Sequence, residues 1–146
     1  MTPFKWDLRF LEMAKLVSTW SKDPSTKVGA VIVRYDRSVL SLGFNGFPRK
    51  FGDYLDLYEN REEKYSRIIH AEVNALIQAR GPVDGCTLYT WPFLCCDRCA
   101  VQMIQAGITR FVSVTPAEDA QKRWGKSLEK SREFFREAQV EYLELA

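Results

Sequence analysis

Two short clusters in this sequence carry residue types that can hold a metal ion. His70, the only histidine of the chain, stands two positions before Glu72, and Cys96 and Cys99 follow in the stretch CCDRC. One imidazole and two thiolates are three protein ligands, which leaves the fourth position of a tetrahedral zinc ion open to water. Zinc lowers the pKa of such a water toward neutrality. The residue types therefore predict a catalytic zinc centre with one Zn²⁺ per chain.

Glu72 is placed to serve such a centre as a general acid and base. Two residues from the histidine, its carboxylate can take a proton from the water and deliver it to a substrate atom. An H-x-E pair followed by P-C-x-x-C is the signature of zinc nucleobase deaminases. This chain departs from it, since Cys95 stands where the signature has proline, and the nearest proline is Pro92.

Other interpretations of the cysteines remain open. A C-x-x-C pair can be a redox dithiol or half of a structural zinc site. A structural site needs a fourth protein ligand, and Cys95 is a poor candidate because adjacent cysteines rarely reach one tetrahedral ion. A redox dithiol would not need the histidine and glutamate. We expect Cys95 and Cys86 to be packed thiols.

Both clusters fall at the predicted starts of helices. The pattern predicts one helix over residues 70–80, stopped by Gly81-Pro82, and another over residues 96–105, closed by Gly107. Cysteines at i and i+3 lie on one side of the first helical turn. The positive end of the helix dipole favours their thiolate forms.

The other segments continue an alternation of helices and strands. Residues 7–20 predict an amphipathic helix with Asp7 as its N-cap, residues 124–138 contain another helix, and residues 54–66 are helical in part. Strands are predicted over residues 28–35, 38–44, 86–91, 109–114 and 140–145. This order predicts an α/β protein, a three-layer α/β/α fold whose central five-stranded mixed sheet is mainly parallel after residue 70. We expect one domain over residues 1–146.

The composition of the chain argues against nucleic acid and membranes as partners. The chain has 21 basic and 19 acidic residues, a net charge of +2, without the basic excess of a duplex nucleic-acid binder. Its longest apolar stretches, such as VGAVIV, have the length of a strand, so we expect no membrane partner. Four cysteines without a secretory signal indicate a reducing compartment, the cytoplasm.

Four sequence blocks carry a family resemblance. SKDPSTKVGAVIV, GFNGFPR, HAEVNAL and CDRCAVQMIQAGI resemble deoxycytidylate (dCMP) deaminases of the cytidine-deaminase-like superfamily, in particular the short phage and bacterial forms. The resemblance runs from about residue 5 to residue 145. It implies a cytidine-deaminase-like fold and zinc-dependent hydrolysis of dCMP to dUMP and ammonia, which feeds dTMP synthesis. For a phage-encoded protein, the cytoplasm would be that of the host.

The resemblance also assigns roles residue by residue. The histidine and the two cysteines of the C-x-x-C pair match the zinc ligands, and Glu72 matches the proton shuttle to N3 of cytosine and to the leaving amine. Asn45 matches the asparagine that contacts the nucleotide sugar, although Asn45-Gly46 is also an ordinary turn pair. Ala71 is placed among the substrate-binding residues.

A 5′-phosphate on the substrate requires cations and hydrogen-bond donors. Two loops supply candidates, each of which could equally be a solvated surface residue. The candidates are Lys22, Ser25 and Lys27 in the first loop and Arg123, Trp124 and Lys126 before the last helix.

The resemblance further implies assembly and regulation. Its members are commonly homo-hexamers activated by dCTP and inhibited by dTTP, so we expect these effectors here, with Mg²⁺ beside the effector nucleotide and contacts from the loop 45–60. Some phage members hold a second, structural zinc between the asparagine and the catalytic histidine. Residues 45–69 contain neither cysteine nor histidine, so that site is predicted to be absent.

Two alternative functions remain. The first is another deaminase of the superfamily, acting on tRNA adenosine, guanine or a riboflavin precursor. The near-neutral charge disfavours the tRNA substrate. The second is a noncatalytic zinc-binding or nucleotide-binding module, which would not need a carboxylate at Glu72.

Overall fold

The computed structural model describes residues 4–146, which contain six helices and five strands. The helices are α1 (Phe4–Ser18), α2 (Leu55–Glu59), α3 (Arg61–Arg67), α4 (Ala71–Gln78), α5 (Asp97–Ala106) and α6 (Glu118–Glu137). The strands are β1 (Gly29–Val33), β2 (Val39–Phe44), β3 (Thr87–Trp91), β4 (Arg110–Val114) and β5 (Glu141–Leu145). Among the helices of these residues, none combines the length and apolarity needed to cross a membrane.

The strands form one sheet in the order β2-β1-β3-β4-β5. β1 pairs antiparallel with both β2 and β3, whereas β3, β4 and β5 pair parallel. The parallel pairs follow from the connections, because α5 and α6 each return the chain to the same end of the sheet. The predicted mixed five-stranded sheet is confirmed.

Helices cover both faces of the sheet. Helix α1 buries Phe10, Leu11 and Ala14 against one face, where Val31 and Tyr89 lie. The second core contains the buried side chains of α4, α5 and α6, packed against the opposite face. Alternate strand residues enter opposite cores because successive side chains of a strand point to opposite faces. The three-layer α/β/α arrangement is confirmed.

Two local predictions differ from the structure, and a third, that the segment 54–66 is helical in part, is confirmed. Asp7 was expected to cap α1, but it lies inside the helix and is 1% exposed, so the N-cap prediction is wrong. Helix α6 begins at Glu118, earlier than the predicted start, and the ambiguous segment 54–66 forms the two short helices α2 and α3. Asp7 is inside because its carboxylate pairs with Arg110, a contact with no local signal in the sequence.

A close contact between β2 and α4 holds the helix against the sheet. A Cβ atom on Gly43 would meet the backbone nitrogen of Ala75 at 2.5 Å and the carbonyl oxygen of Ala71 at 2.7 Å, so only glycine permits this approach. Ser41 Oγ donates to the Ala75 carbonyl at 2.6 Å, and Asn74 Nδ2 donates to the Phe44 carbonyl at 2.8 Å. The start of α4 is thereby held against the sheet.

Candidate active site

Three side chains that could hold a metal ion meet where α4 and α5 begin. His70 is the N-cap residue of α4, Cys96 is the N-cap residue of α5, and Cys99 lies in the first turn of α5. His70 Nδ1 lies 3.2 Å from Cys99 Sγ and 3.5 Å from Cys96 Sγ. All three ligand atoms lie within 4.8 Å of one another. The fold therefore brings together the three residues predicted to bind zinc.

The separations between these atoms suit a tetrahedral zinc ion. With zinc–sulfur bonds of about 2.3 Å and zinc–nitrogen bonds of about 2.0 Å, a tetrahedral ion separates nitrogen from sulfur by roughly 3.5 Å. The measured separations of 3.2 and 3.5 Å match that geometry. Neither N-cap side chain makes a capping hydrogen bond to its own helix, so both are free to coordinate. The donor set fits zinc.

Hydrogen bonds within the cluster favour the thiolate form of Cys96. A hydrogen bond from Cys99 is the largest cause lowering the pKa of the Cys96 thiol, and His70 adds to the effect. The hydrogen bond with Cys96 raises the pKa of His70 to about 9, against the effect of burial. Metal binding displaces such protons from its ligands.

The loop that carries the cysteines is fixed by α6. Ser131 Oγ donates to the Cys95 carbonyl at 2.8 Å. Ser127 Oγ accepts from the Asp97 backbone nitrogen at 3.1 Å and donates to Asp97 Oδ1 at 2.6 Å. Cys95 itself is 2% exposed in the core, and burial raises the pKa of its thiol well above the ordinary value. These contacts hold the start of α5, while the Cys95 thiol packs among apolar neighbours.

Glu72 lies beside the cluster in the first turn of α4. The residue is only 4% exposed, yet it lines the same cavity as His70 and Cys96. Burial raises the pKa of Glu72 to about 7, although the charge of His70 opposes that shift. A carboxyl group is thus placed next to the three predicted zinc ligands and in the wall of the cavity.

The cluster opens into a cavity whose empty space, including its solvent-filled mouth, amounts to about 640 Å³. Phe93 and Trp124 stand in one wall with ring centroids 6.3 Å apart. The lining residues are Asp23, Thr26, Val28, Asn45, Lys64, Tyr65, Ile68, His70, Ala71, Glu72, Phe93, Cys96, Arg123 and Trp124.

Five of the predicted substrate residues lie at or near this cavity. Asn45, Ala71, Arg123 and Trp124 line it directly. Ser25 lines a neighbouring recess, which shares Lys64, Tyr65 and Arg123 with the cavity. Arg123, Trp124 and Lys126 were predicted to lie in a loop, and this is wrong, because all three belong to α6 (Glu118–Glu137). The cavity is therefore bordered by the first loop and by the first half of α6.

The remaining three candidates lie elsewhere. Lys22 pairs with Asp53 at 3.1 Å and lines a different recess. Lys27 Nζ donates to the carbonyl oxygens of Ser21 and Asp23, at 2.7 and 2.9 Å, so it holds its own loop. Lys126 is exposed on α6, outside the lining of the described cavity.

Two charged residues that line the cavity, Asp23 and Lys64, were not predicted from the sequence. Lys64 Nζ lies 2.8 Å from Asp23 Oδ2, and both side chains are largely buried. Lys64 belongs to the segment 54–66, which the sequence predicts only as helical in part, and Asp23 lies in the first loop beside the candidates Lys22 and Ser25. No local signal could pair them, since 41 positions separate them along the chain.

The sequence matches known proteins over most of its length. Residues 4–115 match the family model described as the cytidine and deoxycytidylate deaminase zinc-binding region. The chain is 44% identical over 137 residues to a protein of Aliivibrio fischeri called "Uncharacterized deaminase in luxG 3'region", covering 94% of this chain and 91% of that protein. It is 36% identical over 114 residues to the mouse deoxycytidylate deaminase, covering 74% of this chain and 64% of the mouse protein.

Solved structures share the fold. The dCMP deaminase of the cyanophage S-TIM5, crystallised with dCMP and dUMP, superposes with a TM-score of 0.77 at 22% identity. The match covers 99% of this chain and 100% of the phage protein. At that identity the likeness shows a common fold, the one expected from the sequence blocks.

Proposed function

The chain belongs to the cytidine and deoxycytidylate deaminase family, and on that premise we propose that it hydrolyses dCMP to dUMP and ammonia. The observation that carries the proposal is the buried Glu72 carboxylate beside the His70, Cys96 and Cys99 cluster, in the wall of the cavity into which the cluster opens. One water is consumed: its oxygen bonds to C4 of cytosine, and the amino group leaves.

We assign the metal site to His70 Nδ1 and to the thiolates of Cys96 and Cys99. A zinc ion bound there supplies a water acidic enough to act as a nucleophile at neutral pH. Glu72 holds the proton that this water gives up and delivers it first to N3 of the base, then to the departing 4-amino group. Its place in the first turn of α4, two residues after a ligand, supports that role.

Apolar side chains enclose the base. Val28, Phe93 and Trp124 line the cavity around the catalytic carboxylate. Aromatic rings bind a planar base by stacking or edge contacts and exclude water from it. Ala71 is fully buried in the wall, and we propose that its small side chain leaves room for the ring.

Arg123 is our candidate for the 5′-phosphate. Its side chain lines both the cavity and the neighbouring recess that contains Ser25. Lys64 is the other cation that lines both, but its charge is largely balanced by Asp23. Arg61 lines the recess but not the cavity. Among the ion pairs of residues 4–146, none involves Arg123, so its charge is available to a ligand. Guanidinium groups bind phosphate oxygens through paired N–H donors.

The proposed function predicts a clear order of substrates. Ammonia release should be fastest with dCMP and at least about tenfold slower, as kcat/KM, with deoxycytidine, because the nucleoside lacks the group that pairs with Arg123. CMP, dCTP and adenosine-containing RNA complete the panel. Equal kcat/KM for dCMP and deoxycytidine would contradict phosphate recognition, and activity on adenosine alone would favour the alternative deaminase.

Arg123→Gln should weaken discrimination between nucleotide and nucleoside. We expect the KM for dCMP to rise about tenfold with little change for deoxycytidine, because one charge-assisted contact is lost. Steady-state kinetics on both substrates measures the effect. Lys122→Gln is the matched control, since Lys122 lies on the same helix and pairs only with exposed Glu118. An unchanged dCMP-to-deoxycytidine ratio in Arg123→Gln would exclude Arg123 as the phosphate contact.

Several finer points remain predictions from the resemblance: the homo-hexamer, the effectors dCTP and dTTP, and Mg²⁺ beside an effector. We also propose a single catalytic domain, supported by the one sheet, and a cytoplasmic location, supported by four free thiols.

A further inference from the structure

One wall of the cavity is built by a segment that has little attachment to the core. This wall segment, residues 54–68, contains α2 and α3 and contributes Lys64, Tyr65 and Ile68 to the lining of the cavity. Within Arg61–Arg67, helix α3 has no buried residue. Residues 4–146 form two apolar core clusters, and neither contains a side chain of the wall segment. The position of this wall therefore depends on a few particular contacts.

The contacts of the wall segment with the residues just before it hold α2 and the end of the segment. Tyr58, the buried residue of α2, stacks on Phe47 with ring centroids 3.9 Å apart. The backbone nitrogens of Gly46 and Ile69 each donate to the carbonyl of the other residue, at 3.1 and 2.8 Å. Neither contact involves α3, so this helix must be held in another way.

Lys64 connects α3 to the first loop, between α1 and β1. Its Nζ donates to Asp23 Oδ2 at 2.8 Å, to Asp23 Oδ1 at 3.0 Å and to Ser25 Oγ at 2.9 Å. The side chains of Lys64 and Asp23 are only 12% and 2% exposed, so water and salt screen the pair little. Arg67 of the same helix lies 5.7 Å from the ring centroid of Phe51, but that ring is exposed at the surface. The buried contact that holds α3 is therefore that of Lys64.

The first loop is a firm partner for this contact. Asp23 Oδ1 also accepts from the backbone nitrogens of Ser25 and Thr26, at 2.9 and 3.4 Å. Lys27 Nζ donates to the carbonyls of Ser21 and Asp23 within the loop. Burial raises the pKa of Asp23, but its hydrogen bonds outweigh burial and hold the pKa below the ordinary value. The carboxylate is thus fixed and charged at neutral pH.

We propose that Lys64 is a positioning residue, which fastens α3 to the first loop and so holds Tyr65 and Ile68 in the cavity wall around the bound nucleotide. The proposal rests on the proposed function, in which that nucleotide is dCMP. An ammonium group has three N–H donors, and the contacts to Asp23 and Ser25 can use all three. Lys64 therefore acts on the ligand through the wall, and its loss should weaken the binding of nucleotide and nucleoside alike.

The first test is Lys64→Met in the zinc-loaded protein. We expect KM to rise about tenfold for both dCMP and deoxycytidine, because the ligand must order the wall when it binds. The value of kcat should change less than about twofold, since Glu72 and the three predicted zinc ligands belong to other elements. Lys64→Arg keeps the charge and should restore most of the loss. A rise in KM for dCMP alone would identify Lys64 as a phosphate contact and overturn the inference, as would unchanged KM values for both.

Hydrogen exchange tests the same inference without turnover. In Lys64→Met, the backbone amides of residues 64–68 should exchange at least about tenfold faster, while those of α1 and α5 keep their rates. Unchanged exchange in residues 64–68, or equally faster exchange in all helices, would contradict a local fastening. Absence of ammonia from dCMP with the unaltered protein overturns the proposed function, and the exchange rates then still decide whether Lys64 holds α3.

Lys22→Met is the matched control. Lys22 also joins the first loop to the loop before the wall segment, through Asp53 at 3.1 Å, but it is 68% exposed and outside the cavity lining. Its KM values and exchange rates should equal those of the unaltered protein.

The double variant Asp23→Asn with Lys64→Met separates lost fastening from an unpaired buried charge. It has no unpaired carboxylate, yet α3 remains unfastened, so KM should stay about tenfold raised for both substrates. A return of KM to the unaltered value would show that the unpaired charge caused the effect and would refute the inference. If Lys64→Met does not fold, the double variant serves for both the kinetic and the exchange measurements.

Discussion

Glu72→Gln should reduce the turnover of dCMP by about 10²- to 10⁴-fold, the usual contribution of a positioned general acid and base. Glutamine has the same shape as glutamate and fits the same buried place in the first turn of α4. It cannot take up a proton at neutral pH, so neither N3 nor the leaving amine would be protonated. The loss should appear in kcat, measured by ammonia release.

Zinc content separates a catalytic role of Glu72 from a structural one. The three ligand atoms belong to other residues, so Glu72→Gln should retain one zinc per chain by metal analysis, as the unaltered protein should. Glu62→Gln, an exposed change on α3, is the matched control and should keep full activity. An active, zinc-containing Glu72→Gln would remove the proton-shuttle assignment. Two zinc ions per chain would contradict the prediction that residues 45–69 hold no second site.

Arg110→Met should destabilise the protein by about 3–5 kcal/mol, the usual cost of leaving one partner of a buried ion pair alone. Arg110 donates through both terminal nitrogens to the two carboxylate oxygens of Asp7, at 2.8 and 2.9 Å. Tyr89 Oη also donates to Asp7 at 2.6 Å. Asp7 is 1% exposed, so its carboxylate would stay in the core without its cation. Urea unfolding measures the change in the free energy of unfolding.

Two further variants test whether the loss of stability in Arg110→Met comes from the unpaired charge of Asp7. Arg136→Met removes an exposed arginine that pairs with Glu129, and it should change stability little because water screens such pairs. The double variant Asp7→Leu with Arg110→Met should be more stable than Arg110→Met alone, since it removes the unpaired charge. A double variant no more stable than the single one would indicate that Arg110 stabilises the core by packing rather than by pairing.

The chemistry of the site could be predicted from the sequence because it depends on short spacings. His70 and Glu72 are two residues apart, and Cys96 and Cys99 lie within one helical turn. Residues this near to each other in the sequence lie at the same helix start, and the geometry of the helix determines how their side chains are placed. The alternation of helices and strands likewise predicted the sheet and its layers, because periodicity is a local property.

The sequence by itself therefore determined the ligand types, the carboxylate beside them and the order of the elements. Only the tertiary structure decided which charges are free. Lys22 and Lys27 looked as suitable for a phosphate as Arg123, but the first pairs with Asp53 and the second holds its own loop. The pairs Asp23–Lys64 and Asp7–Arg110 join residues 41 and 103 positions apart. Whether a charged side chain is buried and paired depends on such distant contacts. These contacts cannot be predicted from the composition of the chain or from the spacing of residues along it.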